Sequence, residues 1–189
     1  MNHEENTMHI PTVGNASTGV GGCKKMSQNG SVIGLYKVDR RSAPMIEVSY
    51  LKALAGLGVE GDRYLLGTGT YSKTPQPGRQ VTLIQSETLE WLGDTLDITV
   101  QPEQSRRNVL TKGIDINELV GTEFLVGSVR LRAHRITQPC PYLEKLLDKP
   151  GLYKALWDKG GISCEILCDG IINIGDVVSS DLNPSDVSG

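Results

Sequence analysis

The sequence predicts a mainly β fold, a closed or sandwiched sheet carrying a few short helices. Three observations lead there. Short apolar segments with strand-like patterning recur along most of the chain. Glycine-rich turns separate them. Few are separated by the helical stretches that a parallel sheet requires.

Taken in order, residues 1–30 hold few large apolar groups and many turn formers, and read as a flexible arm; residues 183–189 read as a flexible tail. The domain proper is expected over 31–182. Strand patterns cover 31–38, 45–48, 80–84, 123–126 and 128–137. A helix is expected over 86–96, with Ser86 as its cap and Leu89, Leu92 and Leu96 on one face. Shorter helical patterns follow over 141–147 and over 152–159, the second stopping at Gly160-Gly161. Residues 162–168 and 171–179 read as the two strands of a hairpin turned by Asp169-Gly170.

The 189 residues suit one domain, and a hydrophobic content of 38% suits a soluble globular one. A net charge of −3 argues against a general nucleic-acid binder. The positive charge is local, at Arg106-Arg107 and over 130–135, which suits a small anionic ligand. No apolar run is long enough to span a membrane, and the N-terminus lacks a secretory h-region, so no membrane association and a cytoplasmic location are expected.

Cysteines stand at 23, 140, 164 and 168, too irregular for a disulfide framework. Cys164 and Cys168 share a strand face but lie about 13 Å apart at strand rise, too far for one metal or a disulfide; core packing is expected for both. Cys23 falls in the polar arm. His134 is the one histidine beyond that arm, which argues against a multi-histidine metal site.

Cys140 is different. It sits in Gln138-Pro139-Cys140-Pro141, between a strand whose Arg130, Arg132 and His134 alternate with Val129, Leu131 and Ala133 and a helix in which Pro141 suits the first position. As that helix's N-cap, near a cationic strand face, its thiol is placed to ionise. Two further clusters suit a binding site. Ser105-Arg106-Arg107-Asn108 offers two guanidiniums and an amide for a phosphate or carboxylate. Gly61-Asp62-Arg63-Tyr64 opens an irregular loop, 65–78, that could border a pocket.

In order along the chain, Gly61-Asp62-Arg63, Gly78-Arg79-Gln80-Val81-Thr82-Leu83-Ile84, Ser105-Arg106-Arg107-Asn108-Val109-Leu110-Thr111-Lys112-Gly113-Ile114-Asp115, Gly121-Thr122-Glu123-Phe124, Pro139-Cys140, Gly160-Gly161-Ile162 and Gly175-Asp176-Val177-Val178 resemble the MOSC family, named for the C-terminal domain of molybdenum cofactor sulfurases. The likeness covers roughly 31–180. It implies a closed β-barrel of the pyruvate kinase barrel type. It also implies that Cys140 carries sulfur as a persulfide for a metal–sulfur centre or the molybdenum cofactor. Arg106, Arg107 and Asn108 map onto the family's basic motif, facing the phosphate of a molybdopterin-type ligand, and Asp62, Arg63 and Arg132 complete the expected cofactor-binding set. Tyr64 departs from the histidine common at its position.

Without a pyridoxal-phosphate desulfurase domain or the N-terminal extension of amidoxime-reducing relatives, the chain is expected to need a separate cysteine desulfurase as donor, with pyridoxal phosphate on that partner, and an acceptor molybdoenzyme of unknown identity. The alternative is a molybdenum-cofactor-binding reductase of N-hydroxylated compounds with Cys140 as metal ligand. A non-catalytic binding barrel is the third reading.

Overall fold

The computed structural model describes residues 29–70, 72–139 and 141–182; the expected arm and tail, Cys23 and Cys140 lie outside them. Its strands are β1 (Asn29–Lys37), β2 (Ile46–Glu47), β3 (Tyr50–Leu54), β4 (Gly58–Val59), β5 (Val81–Gln85), β6 (Val109–Lys112), β7 (Glu123–Val126), β8 (Val129–Ile136), β9 (Ile162–Ile166), β10 (Gly170–Asn173) and β11 (Val177–Ser179). The α-helices among the described residues are α1 (Ser86–Leu96), α2 (Pro141–Leu147) and α3 (Leu152–Ala155).

Seven strands close on themselves in the order β1, β6, β5, β9, β8, β7, β11, with β11 pairing back onto β1. Closure removes the sheet edges, and the inward positions make the core. On β8 the alternation is plain: Val129, Leu131 and Ala133 point inward, while the arginines between them reach solvent. Phe124, Leu83, Leu131 and Ile162 are fully buried with them, each contributing about 1.5–3 kcal/mol by leaving water.

Within the barrel β5 and β6 are the parallel pair. A parallel neighbour needs a crossover, and α1 supplies it. Leu92 of α1 packs with Val100, Leu143, Leu152 and Leu156 in a second apolar cluster, which ties α1 to α2 and α3. The expected cap at Ser86 is replaced: Gln85 is the N-cap without a side-chain bond, and the Ser86 hydroxyl lies 3.3 Å from Glu87 Oε2.

Three expectations are corrected. β9 and β10 are not a hairpin; β10 pairs with β3, and the Asp169 carboxylate accepts from the Ala55 amide at 2.6 Å. The segment 162–168 leaves its strand after Ile166, so Cys168 sits beyond it, its sulfur accepting from the Arg130 amide at 3.1 Å, while Cys164 is buried in the core. The helix expected over 152–159 keeps only Leu152–Ala155. β3, β4 and β6 went unread because Lys52 and Ala53 at the centre of Tyr-Leu-Lys-Ala-Leu disfavour a strand and the other two are only two and four residues long.

Candidate functional site

The segment joining β4 to β5 begins with Gly61, whose φ of +75° suits glycine. Asp62 follows and is turned inward, 1% exposed. Its carboxylate accepts from the Asn108 side-chain amide at 3.1 Å, the Tyr64 backbone amide at 3.1 Å and the Val38 amide at 3.4 Å. Asn108 in turn donates to the Tyr36 carbonyl at 3.2 Å and accepts from Thr82, amide and hydroxyl. A buried carboxylate is tolerable only with such donors. Asp62 and Asn108 thus form a structural floor that clamps β1, β5 and β6 together.

Arg63 rests above that floor. Its carbonyl accepts from the amides of Thr68 and Gly69 at 2.9 and 3.1 Å, which curls the following loop around it. Its side chain is 5% exposed, donates to the Arg106 carbonyl at 3.2 Å and lies 4.9 Å from the centre of the Tyr64 ring. Arg63 Nη1 is buried without a partner. A buried guanidinium nitrogen left in that state is costly unless something else completes it.

Arg106 ends a 3-10 turn, Pro102–Ser105, in the left-handed conformation at φ 62°, which a β-carbon disfavours. Its side chain donates to the Ala43 carbonyl at 2.8 Å. Burial, and then the neighbouring Arg63 cation, make Arg106 easier to deprotonate than an ordinary arginine. Arg107, 8% exposed, donates through Nε to the Gly160 carbonyl at 2.7 Å and through Nη2 to the Thr137 carbonyl at 3.4 Å.

These side chains border one cavity of about 290 Å³. Six arginines line it, Arg41, Arg63, Arg79, Arg106, Arg107 and Arg135, and no Asp or Glu does among the described residues. Tyr142 on α2 hydrogen-bonds the Ser42 hydroxyl at 2.6 Å, and both line the cavity. Thr82, Thr137 and Ser163 add hydroxyls. The arrangement is suited to a compact ligand with more than one negative charge.

Of the residues singled out in the sequence, Arg63, Arg106 and Arg107 meet at the cavity, while Asp62 and Asn108 support it from beneath. Arg132 is elsewhere: it pairs with Glu123 at 2.6 Å and Glu165 at 3.4 Å on the outer face of β8. A register shift between Ala133 and Arg135 divides that strand's cationic run, so Arg135, past the bulge, is the member that reaches the cavity. Cys140 lies outside the described residues, but Pro139 before it and Tyr142 just after Pro141 both line the cavity. Arg41, Arg79, Arg135 and Tyr142 were not foreseen as site residues. Arg79 and Arg135 stood within motifs already noted; Arg41 and Tyr142 carried no local signal, since they reach the site through contacts far apart in sequence.

A family model for the MOSC domain matches residues 70–179, which takes in the cavity-lining segments from Thr70 to Ser163. The chain belongs to the MOSC domain family. MOSC domains are associated with molybdenum-cofactor sulfurase-type functions. Solved structures share the MOSC fold. The YuaD protein from Bacillus subtilis has a TM-score of 0.68 at 20% identity, over 83% of this chain and 99% of that one. YiiM from Escherichia coli gives 0.58 at 18% identity, over 82% and 70% respectively. YiiM from Geobacillus stearothermophilus gives 0.55 at 16%, over 86% and 80%. No curated protein matches the sequence.

Proposed function

We propose that this MOSC domain is a cytoplasmic sulfur carrier in which Cys140 receives sulfur as a persulfide, beside a cavity that holds the phosphate of a molybdopterin-type ligand. The observation that supports this most is the cavity itself. Six arginines without a lining carboxylate, including the buried and unsatisfied Arg63 Nη1, fit a phosphate-bearing group. Arg63, Arg106 and Arg107 would hold it, and whichever hydroxyl of the mutually bonded pair Thr137 and Ser163 keeps its proton free adds one donor. When bound, such a cofactor supplies the molybdenum centre at which sulfur is accepted.

The loading step needs only the chain and its donor. The Cys140 thiolate attacks the outer sulfur of a cysteine desulfurase persulfide. The donor's S–S bond breaks, its cysteine leaves as thiolate, and Cys140 carries the S–SH group with its proton, without net oxidation or reduction. Pro139, next to Cys140 in the chain, lines the arginine-rich cavity, and a thiol that reached that positive field would exchange more readily as thiolate. Cys164 is a poor competitor, because burial drives its thiol far above the usual range.

The test is direct. The reduced protein is incubated with cysteine and a pyridoxal-phosphate-dependent desulfurase, and added sulfur is located by peptide mass spectrometry. One extra sulfur on Cys140, absent from Cys140→Ala, is expected. An unmodified Cys140 beside modified cysteines elsewhere would overturn the carrier. If molybdenum and pterin then co-purify with the protein, Cys140 is reassigned as a metal ligand in a reductase of N-hydroxylated compounds.

A further inference from the structure

Among the described residues, four other than glycine hold a positive φ: Ser42, Asp97, Arg106 and Asp148. Asp97 caps the C-terminus of α1 and Asp148 directly follows α2, positions and a residue type for which the left-handed region is ordinary. Ser42 and Arg106 are different. Both line the arginine cavity, and they meet on the loop between β1 and β2, where the Arg106 guanidinium donates to the Ala43 carbonyl at 2.8 Å. Backbone strain gathered at one wall of a cavity points to something that wall must hold.

What it holds is the start of α2. Tyr142, in the first turn of that helix, donates its hydroxyl proton to Ser42 Oγ at 2.6 Å, a partner 100 positions away in the chain. The left-handed turn at Ser42 is the conformation in which the two hydroxyls meet. Tyr142 is 45% exposed, so water could satisfy its hydroxyl and burial does not compel the bond. α2 is also packed through Leu143, 3% exposed, into the apolar cluster it shares with α1 and α3. Pro139, on the other side of Cys140, is buried and lines the cavity. Covalent geometry keeps the Cys140 Cα about 3.8 Å from that of Pro139 and no more than about 7.6 Å from that of Tyr142.

We infer that Tyr142 is a positioning residue for sulfur exchange: its bond to Ser42 holds the start of α2 against the cavity mouth and so keeps the Cys140 thiol within the positive field of the arginines. This rests on the carrier reading of Cys140. Tyr142 exchanges neither sulfur nor proton with the donor; it acts through the placement of its neighbour in the chain. Ser42 is its counterpart across the mouth, and the pair works as one unit.

The rate at which iodoacetamide, a small neutral reagent, alkylates Cys140 in the reduced, intact chain reports its thiolate. It is followed across pH by peptide mass spectrometry. Tyr142→Phe and Ser42→Ala each delete one hydroxyl and keep the ring or the β-carbon. Each should slow alkylation at neutral pH by roughly 3- to 10-fold, the range of one ordinary hydrogen bond, and move the pH midpoint of the rate upward. The double variant should be no slower than either single one, because both substitutions break the same bond. Parent-like rates and midpoints in both single variants would overturn the inference and leave the carrier standing, even if denaturant unfolding showed a loss of stability, since Tyr142 would then be structural only. Effects that multiply in the double variant would overturn it too, because the two residues would be acting separately. If Cys140 of the parent protein alkylates with the rate and midpoint of the unfolded chain's thiol, the activated carrier fails and takes this inference with it.

Discussion

Arg63 is the residue on which most of the site depends. It is almost fully buried, its backbone carbonyl anchors the loop that follows, and one of its guanidinium nitrogens has no partner. Charge-assisted hydrogen bonds contribute about 1.5–3 kcal/mol each. Arg63→Gln and Arg106→Gln should therefore each weaken phosphate binding by roughly 10- to 100-fold, read by calorimetry. Asn108 has the opposite profile. It touches no ligand-accessible surface, being 1% exposed, but bridges Asp62, Tyr36 and Thr82. Asn108→Ala leaves a buried carboxylate short of a donor and should cost about 1–3 kcal/mol of stability in denaturant unfolding.

At the scale of elements, most of the cavity's arginines stand just before a strand or at a bulge. Arg106 and Arg107 precede β6, Arg79 precedes β5, and Arg135 follows the bulge in β8. The linker before β9 is held by close approach: Gly161 has a φ of +87°, and a β-carbon there would collide with the Leu83 carbonyl. Gly160 offers its carbonyl to Arg107 and packs equally tightly against the Thr137 carbonyl. Gly161→Ala must combine left-handed strain with a backbone clash, and should destabilise the protein by at least about 2 kcal/mol, measurable as a lowered denaturation midpoint. Gly56→Ala, also at positive φ but with open space around its β-carbon, should cost less in the same assay.

For the whole molecule, gathering six arginines around one cavity in a chain of net charge −3 opposes folding through mutual repulsion. An anion that binds the folded state alone relieves this and stabilises by mass action, by about 2.7 kcal/mol at a hundredfold excess over Kd. Saturating phosphate should raise Tm by roughly 5–10 °C, given about 2–4 °C per kcal/mol for a chain of this size. Matched chloride should raise it less, because screening is non-specific. Arg63→Gln should lose most of the phosphate-specific part. No helix among the described residues is long and apolar enough to cross a membrane.

The barrel was legible in the sequence because inward and outward positions alternate on β7 and β8, and because few helices separate the strands. The hairpin expected at Asp169-Gly170 failed because a turn signal fixes a local bend and not the partner; β10 found β3 across more than a hundred residues instead. The same distinction divides the site. Arg106 and Arg107 stand out as neighbours in sequence, and Arg63 lies within a recognisable motif. The sequence by itself determined the strand-rich class, the family and these three arginines, since patterning and motif order are one-dimensional. Tertiary structure alone decided that Arg41, Arg79, Arg135 and Tyr142 join them, and that Arg132 pairs with Glu123 instead. Cavity walls are set by barrel closure and by a bulge in β8, and neither leaves a periodic trace in the chain.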